Sequence, residues 1–265
     1  MGPEFDQSYA RLEPTLLAVV RVAQTRVSAG ARGYIPAVLD ETGQSASVDA
    51  FASVSTRPLV GVAGDGRAVD SLLYESVIGA KTRVGAGASP ARALAEQGQW
   101  LSRAVGTLLS DTGRQAESLH MGVRPVTGYV RMLNAPSCSR CVVLAGKFYK
   151  RNAGFARHPG CDCRHIPSTE SLAGELTVDP VAYFDSLTKA EQDKTFTKAG
   201  AEALRSDANM GRVVNARRGM KSAQAGGRVR QARTKKPRLM PETIGQIATD
   251  RADYLRLLNA NGYMG

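Results

Sequence analysis

The chain has 265 residues and a formal net charge of +11, with 43% hydrophobic but only 6% aromatic side chains. This length allows one large domain or two smaller ones with a sizeable core, and no apolar run approaches the roughly 18 residues that span a bilayer. Since the first residues also lack the basic and apolar segments of a secretion signal, we predict a cytosolic protein that does not bind membranes.

Hydrophobic periodicity predicts helices throughout the first 123 residues. Apolar residues recur at helical spacing in four segments, residues 12–27, 69–84, 91–109 and 111–121. Ser89 followed by Pro90 is typical of a helix start. Pro36, Gly43 and a serine-rich stretch favour a loop with short helical pieces over residues 30–56. Residues 1–123 are therefore predicted to form an N-terminal helical region.

Extended and short helical segments alternate in residues 124–265, the second predicted region. Strand-forming residues such as Tyr129 predict an extended segment over residues 124–133. Helices are predicted after Asp179, after the capping box that begins at Thr188, and over residues 200–206 and 241–258. The sequence predicts a predominantly α fold with a small β-containing part, in the α+β class.

All four cysteines fall within 26 residues, in the pattern Cys138-x2-Cys141-x16-His158-x2-Cys161-x-Cys163-x-His165. Zinc takes four ligands from thiolate and imidazole, usually as two close pairs joined by a longer loop. We predict that residues 138–165 form a zinc knuckle, with a short hairpin and loop between the pairs. Its ligands would be Cys138, Cys141, His158 and one or both of Cys161 and Cys163. Ordinary buried cysteines and disulfides are the alternatives.

The predicted zinc ion is structural and not catalytic. Four protein ligands leave no open position for water, and Asp162 is the only acid between Cys138 and His165. The chain has no His-Glu-x-x-His, Gly-x-Ser-x-Gly or Walker motif, and the glycines at 61, 64 and 66 are typical of a turn. We therefore predict no catalytic residue and no small-molecule substrate.

Most of the positive charge lies in one segment. Residues 203–238 contain eleven Lys or Arg and one acid, whereas the other 229 residues are nearly neutral. Residues 219–237 within it have almost no large apolar side chain and are predicted to be flexible. The segment from Arg217 to Arg238 is called the basic tract below. It is either a solvated loop or a surface that binds phosphates or an acidic protein. The residues predicted to make such contacts are Arg217, Arg218, Lys221, Arg228, Arg230, Arg233, Lys235 and Lys236.

The motifs around the cysteines resemble those of MuF-like minor head proteins of tailed bacteriophages. The pattern consists of Cys-x2-Cys, Leu-x-Gly, an aromatic pair and His-Pro-x-Cys-x-Cys, found here at Cys138, Cys141, Leu144, Gly146, Phe148, Tyr149, His158, Pro159, Cys161 and Cys163. Residues 213–220, 238–242 and 254–263 are similar to the versions carried by phages of actinobacteria. The resemblance covers roughly residues 125–265.

The resemblance implies a minor capsid component that acts in head assembly and stays in the virion, near the portal or the packaged DNA. Its expected partners are the portal or major capsid protein and double-stranded DNA. Some relatives are described as capsid maturation proteases, so a protease with His120 or His165 near a serine is an alternative. A zinc-stabilised nucleic-acid-binding protein is another.

Overall fold

The computed structural model describes residues 2–44, 49–151, 163–169, 178–216, 228–230 and 237–265. Most of these residues are helical, which confirms the predicted predominantly α fold with a small β part. The helices are α1 (Gly2–Glu41), α2 (Val69–Gly85), α3 (Pro90–Gly122), α4 (Ser139–Val143), α5 (Pro180–Ser186), α6 (Lys189–Phe196), α7 (Lys198–Leu204), α8 (Met210–Ala216), α9 (Pro241–Ile247) and α10 (Arg251–Ala260), with a 3-10 turn at Arg57–Leu59. The strands are β1 (Gly128–Met132), β2 (Phe148–Lys150), β3 (Arg164–Ser168), β4 (Arg228–Arg230) and β5 (Pro237–Leu239).

The chain divides into two compact units. Unit 1 comprises Met1–Arg131 and Lys147–Leu176, and unit 2 comprises Met132–Gly146 and Thr177–Gly265. The division predicted after residue 123 is a different one and stays a prediction.

Helix α1 is much longer than its sequence predicts. It continues to Glu41, so the loop expected from residue 30 is wrong for residues 30–41. Its buried positions are spaced at three or four residues, the period of one helix face: Val20, Gln24, Ser28, Ala31, Ile35 and Leu39. Gly30, Gly33 and Pro36 have low helix propensity. Burial of that face stabilises the helix despite these three residues.

A single helix, α3, replaces the two helices predicted over residues 91–109 and 111–121. The predicted start is confirmed, since Ser89 Oγ accepts a hydrogen bond from Arg92 N at 3.3 Å. Asp111, the first residue of the second predicted helix, lies inside α3 and pairs with Arg114 at 3.2 Å. Its side chain therefore has a tertiary role and does not mark a helix boundary.

Two apolar clusters hold α1, α2 and α3 together in unit 1. The first joins the N-terminal half of α1 to α2 and to Leu108 of α3. The second surrounds the C-terminal half of α1 and contains Ile35, Leu39, Met121, Val126 and Tyr129. The end of α1, the end of α3 and the first strand therefore share one core.

The small sheet of unit 1 has the order β2-β1-β3. Strands β1 and β2 are antiparallel, with Tyr129 opposite Tyr149. A Cβ atom at Gly128 would lie 2.1 Å from the carbonyl oxygen of Tyr149, so the close approach of the two strands requires glycine there. The extended segment predicted over residues 124–133 is thus confirmed for residues 128–132, the central strand, whereas residues 124 and 125 form a turn.

Part of the hairpin and loop predicted between the two cysteine pairs, residues 152–162, lies outside the described residues, and residues 142–151 do not form a hairpin among themselves. Val142 and Val143 belong to helix α4, and the strand at residues 148–150 pairs with residues 128–130, which precede the cysteines. The pairing partner is therefore distant in sequence, where local patterns carry little information about register.

Unit 2 contains short helices whose starts follow from the sequence. Asp179 Oδ1 accepts hydrogen bonds from the amides of residues 181 and 182, and Thr188 and Glu191 form the predicted capping box. The single helix predicted over residues 241–258 is instead two, α9 and α10, because Asp250 caps a second helix start by accepting from Asp253 N at 2.8 Å. Helix α10 ends at Ala260, two residues beyond the predicted end, and Gly262 follows it with a φ of 70°.

No helix of the described residues is long and apolar enough to cross a membrane.

Candidate metal-binding and basic sites

Cys138 and Cys141 lie together at the start of helix α4. Cys138 precedes the helix, and its carbonyl oxygen accepts hydrogen bonds from the amides of Cys141 at 2.9 Å and Val142 at 3.1 Å. This turn places the two sulfur atoms 3.5 Å apart. Two thiolates on one tetrahedral zinc ion, each about 2.3 Å from the metal, lie about 3.8 Å from each other. The Cys-x2-Cys pair therefore fits two ligand positions of such an ion.

The structure does not test the other predicted ligands of this site. His158 and Cys161 lie outside them, and Cys163 belongs to unit 1 while Cys138 and Cys141 belong to unit 2. Within the described ranges, no group of three or more His, Cys, Asp or Glu side chains could hold a metal ion. The complete zinc site stays a prediction.

The segment that contains Cys163 is attached to helix α3 by a buried arginine. Arg114 is only 6% exposed, and its Nε donates a hydrogen bond to the carbonyl oxygen of Cys163 at 3.0 Å. Asp111 pairs with the same guanidinium group. Sequence analysis missed this role of Arg114, although an acid three residues before an arginine on a predicted helix is a signal for such a pair.

His165 is a core residue of unit 1. Its ring stacks on Tyr129 with the centroids 4.0 Å apart, and its Nδ1 lies 3.7 Å from Glu117 Oε2. The hydroxyl of Tyr34 donates to the carbonyl oxygen of His165 at 2.9 Å. Burial, with a contribution from Glu117, raises the pKa of Tyr34 to about 12. These contacts fix strand β3 against α1, α3 and β1.

His120, the other histidine considered for catalysis, is buried near the end of α3. Burial is the main cause that lowers its pKa, and the positive charges of Arg124 and Arg32 lower it further. Arg124 also donates to the carbonyl oxygen of His120 at 2.7 Å. Burial and these two positive charges therefore favour the neutral form of the imidazole.

Most of the basic tract lies outside the described residues. This applies to Arg217, Arg218, Lys221, Arg233, Lys235 and Lys236. Arg228 and Arg230 belong to strand β4, which pairs antiparallel with β5, and the predicted flexibility of the tract stays a prediction. At the C-terminal end of the basic tract, the guanidinium of Arg238 lies 4.9 Å from the ring centroid of Tyr263.

The glycine-rich segment at residues 61–66 forms the predicted turn. Gly61 and Gly66 both have φ of 88°, and Gly66 N donates to the carbonyl oxygen of Ala63 at 2.9 Å. Beside this turn is a cleft of about 590 Å³ that Trp100 and charged residues of both signs line, among them Asp65 and Arg103. Its mixed charge indicates no single class of ligand.

Comparison with known proteins identified no relative. No protein-family model matches the chain, and neither the curated proteins nor the solved structures include a match.

Proposed function

We propose that this protein is a structural minor head protein of a tailed bacteriophage, stabilised by a zinc ion. The observation that carries the metal part is the 3.5 Å separation of the Cys138 and Cys141 sulfurs on one helical turn. The phage part depends on the motifs around these cysteines, and it places the protein in the virion beside the portal, the major capsid protein or the packaged DNA.

In this proposal the zinc ion is held by Cys138, Cys141, His158 and one of Cys161 and Cys163. Bound there, the ion would join residues far apart in the sequence without performing chemistry, because four protein ligands leave no position for water. Because ligands of a structural zinc ion bind it mainly in the folded chain, its loss should destabilise the fold.

Native mass spectrometry of the purified full-length chain, with and without a chelator, tests the metal site. We expect one zinc ion per chain, and a lower melting temperature after chelation. Cys138→Ser and Cys141→Ser should each lose most of the zinc, whereas Ser139→Ala, a change on the same helix turn, should retain it.

The proteins Cys161→Ser and Cys163→Ser identify the fourth ligand, because only replacement of the true ligand should cause loss of zinc. A chain without zinc whose four thiols all react in the native state would contradict this site.

The structural role is tested on purified phage particles. We expect the protein to remain with the heads after purification and to cleave no other head protein. Processing of another head protein that stops in a His120→Gln or His165→Gln phage would instead indicate a maturation protease. A protein that is absent from particles but binds duplex DNA would indicate the nucleic-acid-binding alternative.

A further inference from the structure

A second cleft of unit 1 has a strictly basic character. It lies between helix α1 and the 3-10 turn Arg57–Leu59 and has a volume of about 440 Å³. Its polar lining consists of two arginines and three hydroxyl residues, Arg21, Arg57, Thr25, Ser28 and Thr56. No acidic residue lines it, unlike the cleft beside Trp100.

The segments that form this cleft carry positive charge alone. Residues 14–39 of the chain contain Arg21, Arg26 and Arg32 and no acid, and residues 50–64 contain Arg57 and no acid. Among the described residues, neither Arg21 nor Arg57 forms an ion pair. Two guanidinium groups without a neutralising carboxylate raise the local concentration of anions.

The loop that carries Arg57 is attached to the helix that carries Arg21. Gln24, fully buried on α1, has its Nε2 3.2 Å from the carbonyl oxygen of Leu59 and 3.0 Å from that of Val62, and its Oε1 accepts from Gly61 N at 2.9 Å. These hydrogen bonds hold the 3-10 turn against α1, so the two arginines come from elements in a fixed relationship.

Gly61, in the turn that follows Arg57, lies next to one of the guanidinium groups. A Cβ atom at this position would lie 3.5 Å from Arg21 Nε, so the guanidinium of Arg21 lies directly over the glycine. The φ of 88° at Gly61 also favours glycine. The guanidinium of Arg21 therefore lies between α1 and the turn that follows Arg57, where it lines the cleft.

We propose that the cleft between α1 and the 3-10 turn binds a phosphate group through Arg21 and Arg57. Guanidinium groups bind phosphate oxygens through paired, charge-assisted hydrogen bonds, and the hydroxyl of Thr56 supplies a further polar contact. The hydroxyls of Thr25 and Ser28 line the cleft but donate to carbonyl oxygens of α1. The phosphate belongs either to a small free anion or to the phosphodiester backbone of a nucleic acid. The proposal uses no residue of the basic tract or the zinc knuckle.

Isothermal titration of the full-length protein with pyrophosphate, and fluorescence anisotropy with a labelled DNA duplex, test the two sources. Arg57→Gln and Arg21→Gln should each weaken the affinity for whichever probe the protein binds by about tenfold or more, because each removes charged hydrogen bonds to phosphate. Arg26→Gln is the matched control. It removes the same charge from an exposed position of the same helix outside the cleft, and should change affinity less than about twofold.

Binding of pyrophosphate with this pattern identifies a free phosphate ligand, and the same pattern with duplex alone identifies a phosphodiester. Equal effects of all three substitutions would show that general positive charge is responsible, and would overturn the proposal. Failure to bind either probe would also overturn it. Melting curves establish that each variant is folded, and the exposed Arg57 provides a test that does not disturb the packing on Gly61.

Discussion

Gln24 illustrates how a single buried polar residue organises unit 1. Its amide contacts two carbonyl oxygens of the 59–62 loop, the amide of Gly61 and, at 3.1 Å, the hydroxyl of Thr112 on α3. A buried amide with these partners is well satisfied, and it joins α1, the 59–62 loop and α3.

We predict that Gln24→Ala lowers the free energy of unfolding by about 2 to 3 kcal/mol, because it leaves buried carbonyl and amide groups without partners. Urea unfolding followed by circular dichroism measures this change. Gln7→Ala, at an exposed position of the same helix, is the control and should change stability by less than about 0.5 kcal/mol. Equal effects of the two substitutions would contradict the role of the Gln24 hydrogen bonds.

His120 should make stability depend on pH. Its pKa in the folded protein lies below the ordinary value of 6.5, so the unfolded chain binds more protons in the range between the two values. Stability contributed by the neutral imidazole is therefore fully present above about pH 6.5 and decreases as the pH falls below it.

We predict that His120→Gln reduces this decrease in stability. Urea unfolding of both proteins between pH 8 and pH 5, roughly the range in which histidine titrates, measures the difference between them. Contributions of other groups cancel in that difference, including those of the predicted ligand His158. A difference that does not change with pH would show that the pKa of His120 is not lowered by folding.

At the residue scale, the sequence pattern was sufficient for the Cys138 and Cys141 turn but not for the buried polar residues. Cys-x2-Cys is a local geometry, and a short helix brings its sulfurs together. The roles of Gln24 and Arg114 depend on partners 35 to 88 and 49 residues away, respectively. No short pattern contains such partners.

At the scale of elements, α1 shows tertiary packing overriding local propensity. Two glycines and a proline favour a break after residue 29, yet the helix continues for three more turns. Ile35 and Leu39 are completely buried in the second apolar cluster, with Met121, Val126 and Tyr129. The free energy of burying these side chains exceeds the cost of the unfavourable backbone positions.

We predict that Leu39→Ala destabilises the protein by about 2 to 5 kcal/mol, the usual cost of truncating a buried leucine. Leu12→Ala is the same change on the same helix at a position that is 59% exposed, and should cost less than about 1 kcal/mol. Thermal or urea unfolding measures both. Equal costs would contradict the packing of residues 35–39 in the core.

Helix boundaries that depend on side-chain caps were predictable, whereas boundaries that depend on packing were not. Ser89, Asp179 and Thr188 accept hydrogen bonds from the first turn of their own helices, so a local motif marks each start. Asp111 has the same residue type as Asp179 but pairs with Arg114 inside α3. An acidic side chain can serve either purpose, and only its surroundings decide which.

For the whole molecule, the distribution of charge is the feature most relevant to its proposed partners. Residues 203–238 carry most of the net charge of +11, and the basic cleft of unit 1 adds a second, more localised group of cations. These two regions predict different behaviour with salt. Binding of a polyanion to the basic tract would release many counterions, so its affinity should fall steeply as the salt concentration rises. Binding in the cleft depends instead on two particular arginines, so its affinity should depend less on salt.

We predict that replacing Arg217, Arg218, Lys235 and Lys236 by Gln weakens duplex binding and reduces its salt dependence. Each lost phosphate contact should lower the slope of log affinity against log salt concentration by about 0.9. The control replaces four exposed cations outside the tract, Arg11, Lys189, Lys194 and Lys198. Fluorescence anisotropy at several salt concentrations measures both proteins, and equal slopes would exclude a specific role of the tract.

The sequence by itself determined the helical class of this protein, the capped helix starts, the turn that joins Cys138 and Cys141, and the concentration of positive charge. Each of these is a property of neighbouring residues, whose spacing and chemistry act over one or two turns. Tertiary structure decided the length of α1, the continuity of α3, the pairing of β2 with β1 and the basic cleft at Arg21 and Arg57. These depend on burial and hydrogen bonding between segments far apart in the chain, which local patterns do not contain.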